Sequence, residues 1–231
     1  MKTPFDGKCW IFPDGQVVSN EDLLSFMLEK TEKCIQSGDT SKEKQKAERD
    51  SLFSLVKARF QDNQYLSCVV PLAARIMDAL DDSEQKAFVA FGMGTLMETR
   101  RKFKDAVTWY SQASLLESES LDIAYYSNNN LGYCLNVIER FNEAESWCCK
   151  AIEIDPQRHN AYKNLGMSLQ GQGRYPEAAK CFIKACILCP LDARALYYLE
   201  QLAAGNHGIA NEIEDIEDQL KFCRWIVKGE A

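Results

Sequence analysis

A leucine–glycine pair stands at Leu131-Gly132 and again at Leu165-Gly166, 34 residues on. The residues downstream of each pair keep the same step: Ala144 and Ala178, Ala151 and Ala185, Pro156 and Pro190. An earlier copy reads Met93-Gly94, Ala106 and Ala113, displaced from its successor by 38 residues. The distance from glycine to first alanine is 12 in all three copies, so the four extra residues fall between copies, around "ESESLDI". A chain with this internal period is built from stacked units. Each unit buries its apolar face on the next, and no unit has a core of its own.

Apolar residues recur at helical spacing within each copy, which predicts two antiparallel helices per unit. Glycine inside a helix costs about 1 kcal/mol relative to alanine. Gly132 and Ala144 are therefore read as the small residues that let two helix backbones approach. Leu131, Leu135 and Phe141 fill the remaining space, and Pro156 and Pro190 stop the second helix. An aromatic residue stands between glycine and alanine at one fixed offset, as Phe103, Phe141 and Tyr175. Together these positions resemble the tetratricopeptide repeat, whose unit is 34 residues, with copies at 87–120, 125–158 and 159–192. The resemblance implies an all-α solenoid of helical hairpins wound into a right-handed superhelix.

Either side of the repeats the pattern changes. "CWIFPDGQVV" sets two apolar runs around Pro13-Asp14-Gly15, which predicts a short β-hairpin at 9–18. A hairpin alone is marginal in water, so this one is read as an end cap on the stack or as a docking element. A helix over 20–37, capped by Ser19 or Asn20, completes an N-terminal segment 1–48 that ends in the polar "GDTSKEKQK". Residues 49–82 have the rhythm of a degenerate helix pair interrupted by Pro71. Capping helices are expected over 193–231. "ALYYLEQLAAG" continues the register of a first helix, and Ile209, Ile213, Ile216, Leu220, Cys223 and Val227 then form one apolar seam. The acidic face of this last helix suits a terminal repeat. A homodimer through the seam, or through Phe222 and Trp225, is the alternative use of the helix.

A net charge of −7 argues against nucleic-acid binding and against anionic membranes. No apolar run is long enough to span a bilayer, and the first residues lack the core of a secretory signal, so a cytoplasmic location is expected. The ten cysteines show no zinc-ligand spacing. Cys186 and Cys189 form a CxxC, but it closes a helix ahead of Pro190. There the helix dipole disfavours thiolate, so buried, inert thiols are expected, and Cys148-Cys149 is read alike. No nucleophile–base set, phosphate loop or metal cluster is visible, which predicts no enzyme and no cofactor.

In tetratricopeptide repeat proteins the first helix of each unit lines a concave groove. Carried onto this chain, the resemblance assigns Tyr126, Asn129, Asn130, Tyr133 and Asn136 to the groove, then Asn160, Lys163, Asn164, Met167 and Gln170 from the next copy. Arg194, Tyr197, Tyr198 and Gln201 continue the row, and Phe88, Phe91, Gly92, Thr95 and Glu98 precede it. Asn130 and Asn164 share the sixth position, like the asparagine ladder of peptide-binding members, whereas Asn128 faces the partner helix. A carboxamide can pair with any peptide backbone because it both donates and accepts. Lys163 and Arg194 face a single acid, Glu98, which suits an extended and acidic peptide of a partner protein. The carboxylate clamp of heat-shock co-chaperones is not matched: Asn129 and Tyr133 stand in for its first Lys–Asn pair and Tyr198 for its last Arg. The expected role is an adaptor or scaffold, with a dedicated secretion-type chaperone or a structural subunit of an assembly as alternatives.

Overall fold

The computed structural model describes two short strands, scattered positions from 70 to 78, and residues 80–116, 118–205 and 216–229. The helix expected at 20–37, most of the degenerate pair at 49–82, the turn Pro13-Asp14-Gly15, Ile209 and Ile213 lie outside the described residues. The chain divides into two units, Met1–Asp81 and Asp82–Ala231. In the first, strand β1 (Cys9–Ile11) pairs antiparallel with β2 (Val17–Ser19), Cys9 opposite Ser19 and Ile11 opposite Val17.

The second unit contains eight described helices. They are α1 (Ser83–Thr99), α2 (Phe103–Leu115), α3 (Leu121–Val137), α4 (Phe141–Ile154), α5 (His159–Gly171), α6 (Tyr175–Leu188), α7 (Ala193–Ala204) and α8 (Ile216–Lys228). Three of the first helices start on side-chain caps. Asp82, Ser120 and Asp192 accept from the backbone N–H of Glu84, Ile123 and Arg194 respectively. The turns within the hairpins repeat as well. Lys102, Arg140 and Arg174 each return a backbone N–H to the carbonyl five residues back, on Met97, Leu135 and Leu169. The residue before each sits in the left-handed region, as Arg101, Glu139 and Gly173. Only one of the three copies uses glycine there.

Close approach explains the helix glycines. A Cβ on Gly132 would lie 2.5 Å from Cys148 Sγ and 3.3 Å from the Ala144 carbonyl oxygen. Gly94 faces Tyr110 and Gly166 faces Phe182 in the same way. In each copy the facing residue comes 16 positions after the glycine, so Cys148 fills a slot that the other two copies give to an aromatic ring. Ala106, Ala144 and Ala178 are wholly buried beside these contacts.

Packing between hairpins orders the helices. The first helices touch one another in series: α1 on α3, α3 on α5, α5 on α7. They therefore form an inner row, with α2, α4 and α6 outside it. Tyr125, Ala151 and Ala161 make a small core between the copies at 125–158 and 159–192. A larger core joins α5 to α8 and includes Phe182, Leu196, Leu199, Leu202, Ile216, Leu220 and Cys223, with Val227 packed against it. The described part of the C-terminal seam is thus buried against α6 and α7. Phe222 and Trp225 lie on its other side, exposed, with ring centroids 6.1 Å apart. No helix among the described residues is long and apolar enough to cross a membrane.

Candidate functional site

The inner row carries a run of polar side chains whose partners lie on neighbouring helices. Asn128 donates back to the Ala124 carbonyl within its own helix, at 2.7 Å, and is buried. Asn129 is also buried. Its carboxamide donates to Asn130 Oδ1 at 2.9 Å, and its side-chain and backbone oxygens accept from Asn164 Nδ2 at 3.0 and 3.2 Å. Asn136 donates to the Asn164 carbonyl at 2.8 Å and accepts from Ser168 Oγ at 2.9 Å. These bonds tie α3 to α5.

This geometry changes the reading of the asparagine ladder. The pair that bonds is Asn129 and Asn164, not the two sixth-position residues Asn130 and Asn164. Asn164 is only 2% exposed, and its N–H₂ is committed to the next helix, so it works as a helix–helix bracket and presents no open donor. Its Oδ1 is buried without a hydrogen-bond partner. Asn130 is half-buried and donates to Tyr110 Oη at 3.2 Å. Tyr110 in turn donates to Glu98 Oε2 at 2.7 Å. Burial raises the pKa of Glu98 above the usual carboxylate value, and burial, then the charge of Glu98, raises that of Tyr110. Tyr133 stands edge-on to Phe103, with ring centroids 6.2 Å apart.

Other predicted positions face outward. Tyr126, Arg194, Tyr197 and Gln201 are exposed, while Tyr133, Asn160 and Met167 are half-buried. Tyr126 crosses Tyr125 edge to face, and the Arg158 guanidinium lies over both rings. Lys163 is unlike the rest: the residue is 5% exposed, and its Nζ reaches Asn160 Oδ1 at 3.5 Å. No ion pair to Lys163 occurs among the described residues. Burial, and then the neighbouring charge of Arg194, pull its pKa down to about 8. Arg194 grips Asp192 through Nε at 2.7 Å and Nη2 at 2.6 Å, and His159 Nε2 meets the same carboxylate at 2.9 Å. Asp192 is accordingly held well below the usual carboxylate range, mainly by Arg194.

Sequence reasoning missed Ser168, Asp192 and His159. Ser168 had a signal, since it comes four residues after Asn164 and shares its face. Asp192 had one too, standing immediately before a helix as its cap. Among the thiols, Cys148 borders this network through a side-chain hydrogen bond with Ser168. Burial pushes the pKa of Cys148 and Cys181 up to about 12. Cys186 hydrogen-bonds through its side chain with Cys223 of α8, both fully buried.

Similarity to known proteins follows the repeat period. Residues 125–158 and 159–192 each match a family model described as tetratricopeptide repeat. An uncharacterised TPR repeat-containing protein of Arabidopsis thaliana is 28% identical over 126 residues, covering 51% of this chain and 15% of its own length. The photosystem I assembly protein Ycf3 of Prochlorococcus marinus is 25% identical over 96 residues, covering 42% of this chain and 55% of its own. The chain therefore spans only part of these relatives. Among solved structures, MamA from Desulfovibrio magneticus RS-1 superposes with a TM-score of 0.52 at 14% identity, over 90% of this chain and 97% of that one. Two consecutive matched repeats, in an array packed as stacked helical hairpins, place this chain among the tetratricopeptide repeat proteins.

Proposed function

We propose that the chain is an adaptor that holds an extended segment of a partner protein along the inner row of first helices. One observation carries this reading. Side chains with no part in the brackets made by Asn129, Asn136 and Asn164 gather on that row, and several are aromatic or carboxamide groups, including Tyr126, Asn160, Tyr197 and Gln201. Exposed tyrosine offers a large apolar face with a polar tip, a composition that protein interfaces favour. Peptides docked in grooves combine main-chain hydrogen bonds with side-chain pockets. Carboxamides can supply the former without selecting a sequence. The surplus of cations over acids on the row favours a segment carrying negative charge. An adaptor also needs a second surface, and the exposed Phe222–Trp225 pair on α8 suits that role. The same pair is the surface through which two copies would associate.

The test replaces exposed residues only. Tyr126→Ala/Tyr197→Ala/Gln201→Ala is compared with wild type as bait in native lysate, once circular dichroism shows both equally helical. Photo-crosslinking from position 197, with Ser146 of α4 as the outer control, then maps where the partner lies. The expected result is a protein lost by the triple variant and crosslinked through a single linear stretch from 197, not from 146. A partner retained by the variant, or crosslinked equally from both faces, would move the function off the inner row.

A further inference from the structure

Between α5 and α7, two cations converge on one neutral atom. Asn160 Oδ1 lies 3.5 Å from Lys163 Nζ and 3.4 Å from Arg194 Nη2. A carboxamide oxygen carries only a partial negative charge, whereas a carboxylate at the same place would make charge-assisted bonds to both donors. The surrounding charges do not provide one. Among the described residues the acid beside them is Asp192, the cap of α7, and its oxygens are taken by Arg194, by His159 and by the backbone N–H of Arg194. From α4 the nearby titratable group is Cys148, which keeps its proton. Counting Lys163 and Arg194 against Asp192, the cations outnumber the acid by one. Burying an ammonium without a counter-ion is costly. The low pKa of Lys163 is the mark of that cost.

We propose that Lys163 and Arg194 are the anchor for one carboxylate of the bound segment, with Asn160 as its placeholder in the free protein. This rests on the groove reading above and goes further, in fixing where the negative charge of the partner sits. The anchor takes a carboxylate in either of two forms, the side chain of Asp or Glu or a free C-terminus. It joins the fifth position of one repeat to the second of the next and uses none of the asparagine brackets.

The test uses two random twelve-residue peptide libraries, one ending in a free C-terminus and one amidated, selected on the full chain. Wild type is expected to enrich peptides with an acid at one fixed position. If both libraries yield such an acid internally, the group is a side chain; if the free library alone yields binders, it is the terminus. For the best binder, replacing that acid by its amide, or replacing the terminus by an amide, is expected to weaken binding about tenfold, or about 1.4 kcal/mol. The same change should cost almost nothing against Lys163→Met or Asn160→Asp, the latter because it supplies the carboxylate internally. Arg194→Gln, at an exposed position, serves as the variant least able to disturb folding. Binders from the amidated library without an acid preference would overturn the anchor and leave the groove reading standing. An acid whose loss costs as much in Lys163→Met as in wild type would do the same. If neither library yields a binder, the groove reading falls and takes the anchor with it.

Discussion

Two of the three described inner junctions of the array solve the same packing problem with opposite chemistry. Where α3 meets α5, neutral amides and a hydroxyl close on each other: Asn129 with Asn164, and Asn136 with Asn164 and Ser168. Where α5 meets α7, one helical step further along, Lys163 and Arg194 share Asn160 and leave positive charge over. The first junction has spent its donors inside the protein. The second still has charge to offer. A repeat fold makes this contrast possible, because neighbouring interfaces are nearly independent in stability and can be specialised one at a time. The lesson is that equivalent positions in successive copies need not share a role.

The contrast assumes that both junctions ride on the same hairpin geometry, and the most disruptive test addresses that. Gly132→Leu forces a side chain against Cys148 Sγ and the Ala144 carbonyl, and a backbone oxygen cannot turn aside. Overpacking of this kind costs about 3 kcal/mol, lowering Tm by roughly 6–12 °C in a chain of this size. A Tm unchanged within a degree would mean that the helix pair is not closed at Gly132.

Next in size is the neutral junction itself. Asn136→Ala removes the bonds to the Asn164 carbonyl and from Ser168 Oγ, all in buried surroundings. Losing buried hydrogen bonds costs about 1–3 kcal/mol. Thermal unfolding should show a fall in Tm, while peptides selected on wild type should bind the folded variant as before. A loss of binding with no loss of stability would reverse the assignment and make the asparagines contact residues.

How much of this was legible depends on the range of each interaction. Gly132 and Ala144 lie 12 residues apart within one hairpin, and the repeat period exposed their contact directly. The seam at Ile216, Leu220 and Cys223 was legible for a similar reason, since helical spacing alone puts those residues on one face. Asn129 and Asn164 are 35 residues apart and meet only because α5 packs on α3 at one particular pitch. No local pattern encodes that pitch, so Asn130, one turn position away, looked equally suited to the ladder. Burial of Lys163 was hidden for another reason. Lysine ordinarily keeps its charge in water, and only the arrangement of α5 against α7 takes that water away. The CxxC at Cys186 was a local pattern without a local partner, because the thiol it bonds with belongs to α8.

The charged junction gives an effect of opposite sign. Lys163→Met keeps the apolar stem and deletes the buried ammonium, so the variant should be more stable than wild type at pH 7, by about 1–2 kcal/mol. The pH dependence identifies the cause. In the folded chain Lys163 loses its proton near pH 8, whereas in the unfolded chain a lysine holds it to about 10.4. Between these values the unfolded state binds more protons at this site, so wild type gains stability as pH rises. The gap between the two proteins should therefore narrow from pH 7 to pH 10. Cys148 and Cys181 act the other way, keeping protons that unfolded thiols release near pH 8.5. Cys181 does so equally in both proteins, and Cys148, which feels the charge of Lys163, is replaced by Ala in both, so the thiols cancel in the difference. A gap constant over this range would show that Lys163 is not a depressed ammonium.

The smallest expected effect separates the two cations. Arg194 is exposed, and the guanidinium it offers to Asp192 can be replaced in part by water. Asp192 keeps its two other roles without it, as the cap of α7 through the backbone of residue 194 and as the partner of His159. Exposed ion pairs contribute about 0–1 kcal/mol, so Arg194→Gln should move Tm by no more than a few degrees. Its effect on binding should be larger in proportion. Lys163 can still meet a bound carboxylate alone, but Asp192 is then unscreened beside it and repels the incoming charge. Acid-bearing peptides should lose affinity for Arg194→Gln, and raising the ionic strength should shrink the difference from wild type. Equal loss for acidic and amide peptides would show that Arg194 contributes shape to the face and no charge.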